Sequence, residues 1–266
     1  MGMIEDVLTR GWAKFPCERS VLEWLEVAGA AAVAASEDAE LRRDWLRCDG
    51  TWFVGVDALA NDPEGRVAGS NALRSSALQA AYGLSDHAVA GLHPGQVSVT
   101  YPGYPRQGGE ESDAAFRFRR DRDATHLDGL RPIGPERRRM MREYHAFILG
   151  FPASYAAPGA APLVVWEGSA AMVARALRAA LAPHPVDQWE TVDLTEVYGN
   201  VRREVLETCE RIEVPALPGE AVLLHRHTLH GIAPWEDGAI VDADGRAVIY
   251  FRPEFKSGFV DWLEAP

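Results

Sequence analysis

The sequence predicts a mainly β protein, a jelly-roll or cupin-like barrel with helical decoration, in a single domain over residues 1–266. Two observations predict this fold: many short apolar or alternating segments lie between Gly and Pro turns, and helical patterns occur before and between them. The length suits one elaborated barrel or sandwich domain as well as two small domains, and we expect one domain. The composition, 47% hydrophobic and 25% charged, is that of a globular chain rather than a disordered one.

The first fifty residues predict an N-terminal helical region that caps the barrel. Val21–Glu26 and Glu37–Arg47 have apolar residues at three- and four-residue spacing with charged residues between them. The composition then changes to β-branched and aromatic residues, so residues 51–254 are predicted to form the barrel core with inserted helices.

Strands are predicted where β-branched and aromatic residues cluster or alternate between turn residues: Thr51–Val56, Gln96–Tyr101, His145–Phe151, Leu163–Trp166, Ala221–Leu229 and Arg246–Arg252. Two further helices are predicted within the barrel region. One covers Ser169–Leu181 with Ser169 as its N-cap, and the other covers Leu194–Arg211.

The formal net charge of −12 argues against a protein whose main role is to neutralise phosphates, so nucleic acid is not an expected partner. The most basic stretches are Arg117–Arg122 and Arg137–Arg142. Because Asp121 and Asp123 interleave with the first of them, both stretches are predicted to be solvated faces.

Three widely spaced cysteines, Cys17, Cys48 and Cys209, form no CxxC pair, which disfavours a disulfide framework and a structural zinc site. The longest run of small apolar residues, Val27–Ala35, is too short to span a bilayer. We therefore expect reduced thiols, a cytoplasmic location and no membrane partner. The sequence leaves the oligomeric state open, with a homo-oligomer as one option.

The motif His126-Leu127-Asp128 places an imidazole and a carboxylate two residues apart. In an extended chain alternate side chains point to the same face, so His126 and Asp128 can both reach one ion. They would supply two of the three ligands of an iron site with two histidines and one carboxylate. The motif alone is weakly specific, because a polar strand edge gives the same pattern.

Three histidines near the end of the chain offer the third ligand: His225, His227 and His230. If the preceding strand continues through them, His230 shares one face with even-numbered apolar residues, whereas His225 and His227 share the opposite face. His230 precedes Gly231, which permits close backbone approach at a strand end. We therefore expect His230 to be the ligand, with a structural role as the alternative for each histidine.

Arg246 opens the last predicted strand, and Arg252 follows on the same face. An inward-facing guanidinium is costly unless it meets an anion, and its planar shape matches a carboxylate. A small molecule with a carboxylate is therefore predicted, with Arg246 as the first choice of partner. Arg252, about 20 Å along the strand, is the second choice. A surface ion pair with Glu254 or Glu236 is the alternative.

Four segments together resemble the phytanoyl-CoA dioxygenase family, within the Fe(II)/2-oxoglutarate-dependent oxygenase superfamily: HLDG at 126–129, LVVWEGSA at 163–170, PGEAVLLHRHTLHG at 218–231 and RAVIYFRPE at 246–254. The resemblance extends roughly over residues 96–254, and its order, spacing and local context are more specific than the first motif alone. It implies a double-stranded β-helix.

The resemblance also implies a ligand set and a chemistry. Fe(II) would be held by His126, Asp128 and His230, and Arg246 would bind the distal carboxylate of 2-oxoglutarate. With O2, the implied reaction is hydroxylation of a small-molecule substrate with release of succinate and CO2. Asp128 is retained where related halogenating enzymes have a small residue, so hydroxylation is the expected outcome.

The sequence departs from the family pattern at three places. Ala170 stands where the family has histidine, and Glu220 replaces the usual aspartate after Gly219. The loop at 236–244 is longer than usual, which puts the role of Arg246 in more doubt than the metal ligands.

Four further residues are candidate contacts of the co-substrate or substrate: Tyr101, Tyr104, His145 and Trp166. Each equally suits the core or the rim of a site. Two rival functions remain open at the level of sequence. One is a cupin-type metalloenzyme with the same ligands that does not use 2-oxoglutarate, and the other is a non-catalytic barrel that serves as a binding module.

Overall fold

The computed structural model describes residues 2–86 and 88–266. Its helices are α1 (Met3–Arg10), α2 (Arg19–Glu37), α3 (Ala39–Trp45), α4 (Ser76–Leu84), α5 (Asp113–Asp121), α6 (Ser169–Leu181), α7 (Thr195–Thr208) and α8 (Phe259–Glu264), with one 3-10 turn over Val186–Thr191. Its strands are β1 (Trp12–Phe15), β2 (Leu46–Arg47), β3 (Trp52–Leu59), β4 (Gly95–Thr100), β5 (Leu130–Ile133), β6 (Arg138–Met141), β7 (Phe147–Pro152), β8 (Leu163–Trp166), β9 (Arg211–Val214), β10 (Ala221–His225), β11 (His230–Ile232) and β12 (Arg246–Phe251).

The strands form two main antiparallel sheets and one hairpin. The large sheet has the order β1-β10-β7-β12-β4-β3-β2, the small sheet has the order β11-β8-β9, and β5 pairs with β6. One apolar cluster joins both sheets, so their inner faces pack against each other. It includes Trp12, Ile148, Val222 and Leu224 of the large sheet with Leu163, Val165 and Val214 of the small one. The predicted combination of β-sheets with helical decoration is confirmed.

The N-terminal helices pack on the outer face of the large sheet. Trp24 of α2 is fully buried and meets the rings of Phe151 and Phe251, with centroids 5.7 and 6.1 Å away. The predicted helical region also contributes two strands, since β1 pairs with β10 and β2 pairs with β3. The division of the chain into a helical cap and a barrel core stays a prediction.

Two local predictions are wrong. Gly168, in a left-handed conformation with φ 80°, holds the N-cap position of α6. The hydroxyl of Ser169 instead accepts a hydrogen bond from the backbone N–H of Leu229 (3.0 Å), so tertiary contact replaces the expected cap. The predicted strand at 221–229 ends at His225, where the chain turns and the N–H of Thr228 donates to the carbonyl of His225 (2.9 Å).

Remote contacts explain the turn that ends β10. The guanidinium of Arg226 is buried and donates to the backbone carbonyls of Trp262, Ala265 and Pro266, next to α8. These hydrogen bonds hold Arg226 against the C-terminal segment, so the chain leaves the direction of β10 before β11 begins at His230. Across the described residues, no helix is long and apolar enough to cross a membrane.

Candidate metal centre

Three side chains that are far apart in sequence meet at one point. The Oδ1 atom of Asp128 lies 3.3 Å from Nε2 of His126 and 4.0 Å from Nε2 of His230. The three ligand atoms all lie within 4.8 Å of one another. Donor atoms of an octahedral site with bonds of about 2.1 Å are about 3 Å apart, so these residues fit a divalent cation with small adjustments.

The backbone brings His126 and His230 together directly. The two residues form an antiparallel bridge in which each N–H donates to the other carbonyl, at 2.9 and 3.1 Å. Gly231 packs so closely on the same loop that a Cβ there would overlap the carbonyl oxygen of Asp123. The close approach expected of a glycine after His230 is therefore required by the structure.

The loop before His126 is held in an uncommon conformation. Asp123 and Ala124 both have φ 52°, in the left-handed region that disfavours residues with a side chain. The buried carboxylate of Asp123 accepts two hydrogen bonds from the guanidinium of Arg211, both 2.8 Å. This paired contact offsets the backbone strain and keeps the ligand loop in place.

The second ring nitrogen of each histidine points to a backbone carbonyl. Nδ1 of His126 lies 3.1 Å from the carbonyl oxygen of Ala124, and Nδ1 of His230 lies 2.9 Å from that of Thr228. When Nδ1 donates these hydrogen bonds, the lone pair of Nε2 is free to bind a metal. Burial and the nearby His126 lower the pKa of His230 to about 4, which favours the neutral, ligating form.

Arg252 holds the carboxylate of the site. Its Nη1 donates to Oδ2 of Asp128 (3.0 Å) and its Nη2 donates to Oε1 of Gln96 (2.8 Å). Burial alone would raise the pKa of Asp128, but Arg252 and the two imidazoles outweigh it and hold the pKa well below its usual range. One carboxylate oxygen is thus committed to Arg252, and the other faces the histidines.

A cavity of about 300 Å³ opens from the three ligands. Its inner wall is mostly apolar and comes from both sheets, with Ile148, Leu163, Leu224, Ile232 and Tyr250 among its residues. The β5–β6 hairpin, which follows Asp128 in the chain, supplies another part of the wall. The three side chains that could hold a cation therefore face a cavity with space for a small organic molecule.

Arg246 begins β12 and lies on the same face of that strand as Tyr250, a residue of the cavity wall. It is opposite Thr100 of β4, which in turn is opposite Trp52 of β3, a residue of the cavity wall. Arg246 is only 8% exposed. Within the described chain its guanidinium makes no hydrogen bond or ion pair, and the hydroxyl of Thr100 is also without a partner. An anion beside them would satisfy both groups.

The remaining candidates take different positions. Tyr101 packs toward the N-terminal helices, where Nη1 of Arg42 donates to its hydroxyl (3.3 Å). His145 is buried beside a neighbouring cavity, with Nδ1 2.7 Å from the carbonyl of Arg252. Tyr104 and Trp166 are buried side chains of the core. Their proposed contacts with co-substrate or substrate stay predictions.

The sequence did not single out several residues of the site. Gln96, the second partner of Arg252, belongs to a predicted strand but carries no recognisable motif. The prediction that Arg137–Arg142 is a solvated face is wrong in part. Arg138–Met141 forms strand β6, and Arg139 is half-buried and lines the cavity. A run of arginines has no apolar alternation, so only the tertiary structure shows which of them turns inward.

Comparison with known proteins gives a likeness of fold. No protein-family model and no curated protein matches the chain. Among solved structures, it is similar to the non-heme alpha-ketoglutarate-dependent carbocyclase SnoK from nogalamycin biosynthesis, with 14% identity, 97% of this chain and 87% of that chain covered, and a TM-score of 0.51. It is also similar to AviO1 from Streptomyces viridochromogenes Tue57, with 16% identity, 96% and 95% covered, and a TM-score of 0.48. At this identity the first likeness shows a shared fold.

Proposed function

We propose that this protein is a non-haem Fe(II)- and 2-oxoglutarate-dependent oxygenase with a double-stranded β-helix fold, which hydroxylates a small molecule. The observation that carries the proposal is the convergence of Nε2 of His126, Nε2 of His230 and Oδ1 of Asp128 on one point. Two imidazoles and one carboxylate with an open side are typical of Fe(II) oxygenase sites. The shared fold with an alpha-ketoglutarate-dependent enzyme supports it.

The residues also fit the co-substrate. A 2-oxoglutarate molecule has one carboxylate beside its keto group and one at its far end, so it needs a metal and a separate cation. Arg246 is a buried guanidinium without a partner, and Arg252 is already engaged by Asp128 and Gln96. We therefore assign the distal carboxylate to Arg246, with the hydroxyl of Thr100 as a second donor.

Iron with 2-oxoglutarate and O2 would supply a two-electron oxidation of a substrate C–H bond, coupled to oxidative decarboxylation of the co-substrate to succinate and CO2. The chain's own residues position the reactants. The carbonyls of Ala124 and Thr228 orient the two imidazoles, and Arg252 fixes the carboxylate of Asp128. The apolar wall limits water near the reacting bond.

An anaerobic titration tests this function. The wild type is expected to bind one equivalent of Fe(II), and addition of 2-oxoglutarate is expected to produce a weak visible charge-transfer band. His126→Ala is expected to lose both Fe(II) binding and the visible band, because only two of the three proposed metal ligands remain. His184→Ala, which changes an exposed histidine, is the matched control and is expected to keep both.

The same experiment separates the rival functions. Iron uptake without the band, and without succinate on exposure to air, would indicate a metalloenzyme that does not use 2-oxoglutarate. Failure of the wild type to take up Fe(II) would indicate a binding module without metal. Either result overturns the proposal.

A further inference from the structure

The charged groups that line the cavity do not balance. Apart from the two histidines, the lining has three guanidiniums, those of Arg131, Arg139 and Arg252, and two carboxylates, those of Asp128 and Glu143. A divalent metal and a dianionic co-substrate would cancel each other, so one positive charge of the lining would still be uncompensated, even before the charge of Arg246 is added.

Pairing shows which charge is left over. Arg252 donates to Asp128 (3.0 Å), and Nη1 of Arg131 donates to Oε1 of Glu143 (2.6 Å). Arg139 has no carboxylate partner anywhere in residues 2–86 and 88–266. Its one side-chain hydrogen bond is a long contact from Nη1 to the carbonyl oxygen of Leu130 (3.4 Å).

The surroundings of Arg139 increase its need for an anion. Its guanidinium lies over the ring of Tyr198, 5.6 Å from the ring centre, which is a favourable cation–π contact, but it shares that ring with the guanidinium of Arg202 (5.1 Å). Burial, together with the like charges of Arg202 and Arg137, lowers the pKa of Arg139. A half-buried guanidinium among other cations is stabilised when it binds an acidic group.

The backbone of Arg139 is fixed, so its side chain is presented from a rigid position. Its N–H donates to the hydroxyl of Thr195 (2.8 Å), and its carbonyl accepts from the N–H of Leu194 (2.9 Å). Both partners lie at the start of α7. In addition, β6 pairs with β5, where Pro132 is opposite Arg139. The hairpin and the helix together hold the residue at the cavity wall.

We propose that the cavity takes an anionic substrate, an otherwise apolar molecule with a carboxylate or phosphate that pairs with Arg139. The inference rests on the proposed function and names the substrate class of that same site. Arg139 sets specificity by charge, and the apolar wall accepts the part of the molecule that carries the reacting bond. A neutral molecule of the same shape leaves the guanidinium unpaired and binds more weakly.

Calorimetric titration of the protein loaded with Fe(II) and 2-oxoglutarate, without O2, tests this substrate class. The probes are phenylpropionate against phenylpropionamide, and phenylethyl phosphate against phenylethanol. We expect at least one acid to bind about tenfold tighter than its neutral counterpart, because a hydrogen bond to a charged group is lost with the neutral probe. Whichever of the two acids binds more tightly shows whether the preferred acidic group is a carboxylate or a phosphate.

Three variants assign the effect to Arg139. Arg139→Gln is expected to remove the preference for the acid, and Arg139→Lys is expected to keep part of it because the charge remains. Arg138→Gln is the matched control, since Arg138 is an exposed neighbour in the same hairpin that pairs with Glu136 and Asp193. It is expected to bind the probes as the wild type does.

Three results would overturn the substrate class: equal affinity for acid and neutral probe, no binding of either acid, or a preference that persists in Arg139→Gln. A loss of 2-oxoglutarate affinity in Arg139→Gln would also overturn it, because Arg139 would then be the partner of the co-substrate. Each of these results is distinct from failure of the proposed function. If the proposed function fails, the wild type forms no complex with Fe(II) and 2-oxoglutarate before any probe is added.

Discussion

The two arginines of the last strand are in opposite circumstances. Directly after β12, Arg252 has its two terminal nitrogens engaged, by Asp128 and Gln96. At the other end of β12, Arg246 is buried, whereas Arg252 is partly exposed, yet no partner for Arg246 exists in the described part of the chain. A buried charge that is paired helps to fix its partner, whereas an unpaired one costs free energy until a ligand arrives. Arg252 therefore fixes the carboxylate of Asp128, and Arg246 is left available for an anion.

The largest expected effect comes from replacing Arg246, the arginine that is available for an anion. Arg246→Gln is expected to weaken 2-oxoglutarate binding to the Fe(II)-loaded protein by about 100-fold, because a paired, charge-assisted contact is lost. Iron affinity is expected to stay unchanged. The visible band in an anaerobic titration measures the co-substrate affinity, and calorimetry measures the iron affinity.

Arg43→Gln, an exposed change next to Asp44, is the control for that variant. Without ligands, Arg246→Gln is expected to be at least as resistant to urea as the wild type, because the guanidinium has no partner within the described residues that the change would remove. If the variant retained full affinity for 2-oxoglutarate, the distal carboxylate would have to bind elsewhere and the contrast between the two arginines would fail.

Replacing Arg252, the arginine that is already paired, is expected to give the next largest effect. Here iron affinity falls and co-substrate affinity changes less, the reverse of the result expected for Arg246. Arg252→Gln is expected to lower the affinity for Fe(II) by about 10- to 30-fold, because the residues that orient metal ligands typically contribute this much. The affinity of the iron-loaded protein for 2-oxoglutarate is expected to change less. Metal competition with a fluorescent chelator measures the first quantity.

Arg131→Gln is the matched control for Arg252, since it removes another arginine of the cavity wall that pairs with Glu143 rather than with a metal ligand. Equal losses of iron affinity in both variants would mean that a general disturbance of the cavity wall, and not the loss of the contact with Asp128, lowers the affinity, because removal of a positive charge alone favours a cation. An unchanged affinity in Arg252→Gln would remove its role in orienting the carboxylate.

The sequence predicted the strands better than the contacts between them. Segments such as 163–166 and 246–251 are short, apolar and bounded by turns, so a local pattern was sufficient. The predicted ligands His126, Asp128 and His230 do meet, but not for the reason that alternation suggested. His126 lies in an isolated bridge and Asp128 in a turn, outside any continuous strand.

The parts that sequence reasoning missed depend on remote contacts. Arg252 and Asp128 are 124 residues apart in the chain, and the turn that separates β10 from β11 depends on carbonyls 36 to 40 residues beyond Arg226. No periodicity within a segment encodes such pairs. The inward position of Arg139 is a similar case, because it depends on how the hairpin docks on α7.

The imidazole of His227 is a third, buried ionisable group and extends the comparison. Unlike the two arginines it is neutral in the folded protein near neutral pH, so it needs no anion. His227 is fully buried with its ring edge-on to Trp262, 4.5 Å between centroids. Burial, then the neighbouring His225 and Arg226, lowers the pKa of His227 well below its ordinary value of 6.5. The unfolded chain therefore binds a proton below about pH 6.5 that the folded chain does not, so acid favours unfolding.

The smallest effect follows from that imidazole. Its contribution to stability is fully present above about pH 6.5 and is lost as the pH falls, by about 1.4 kcal/mol per pH unit. Between pH 6 and 5 the free energy of unfolding of His227→Phe is expected to fall less steeply than that of the wild type, by about 1.4 kcal/mol per pH unit. Urea unfolding of metal-free protein measures it, with the exposed His184→Gln as control. If His227→Phe kept the wild-type slope, His227 would be protonated in the folded state, and it would need an acidic partner of the kind that Arg246 lacks.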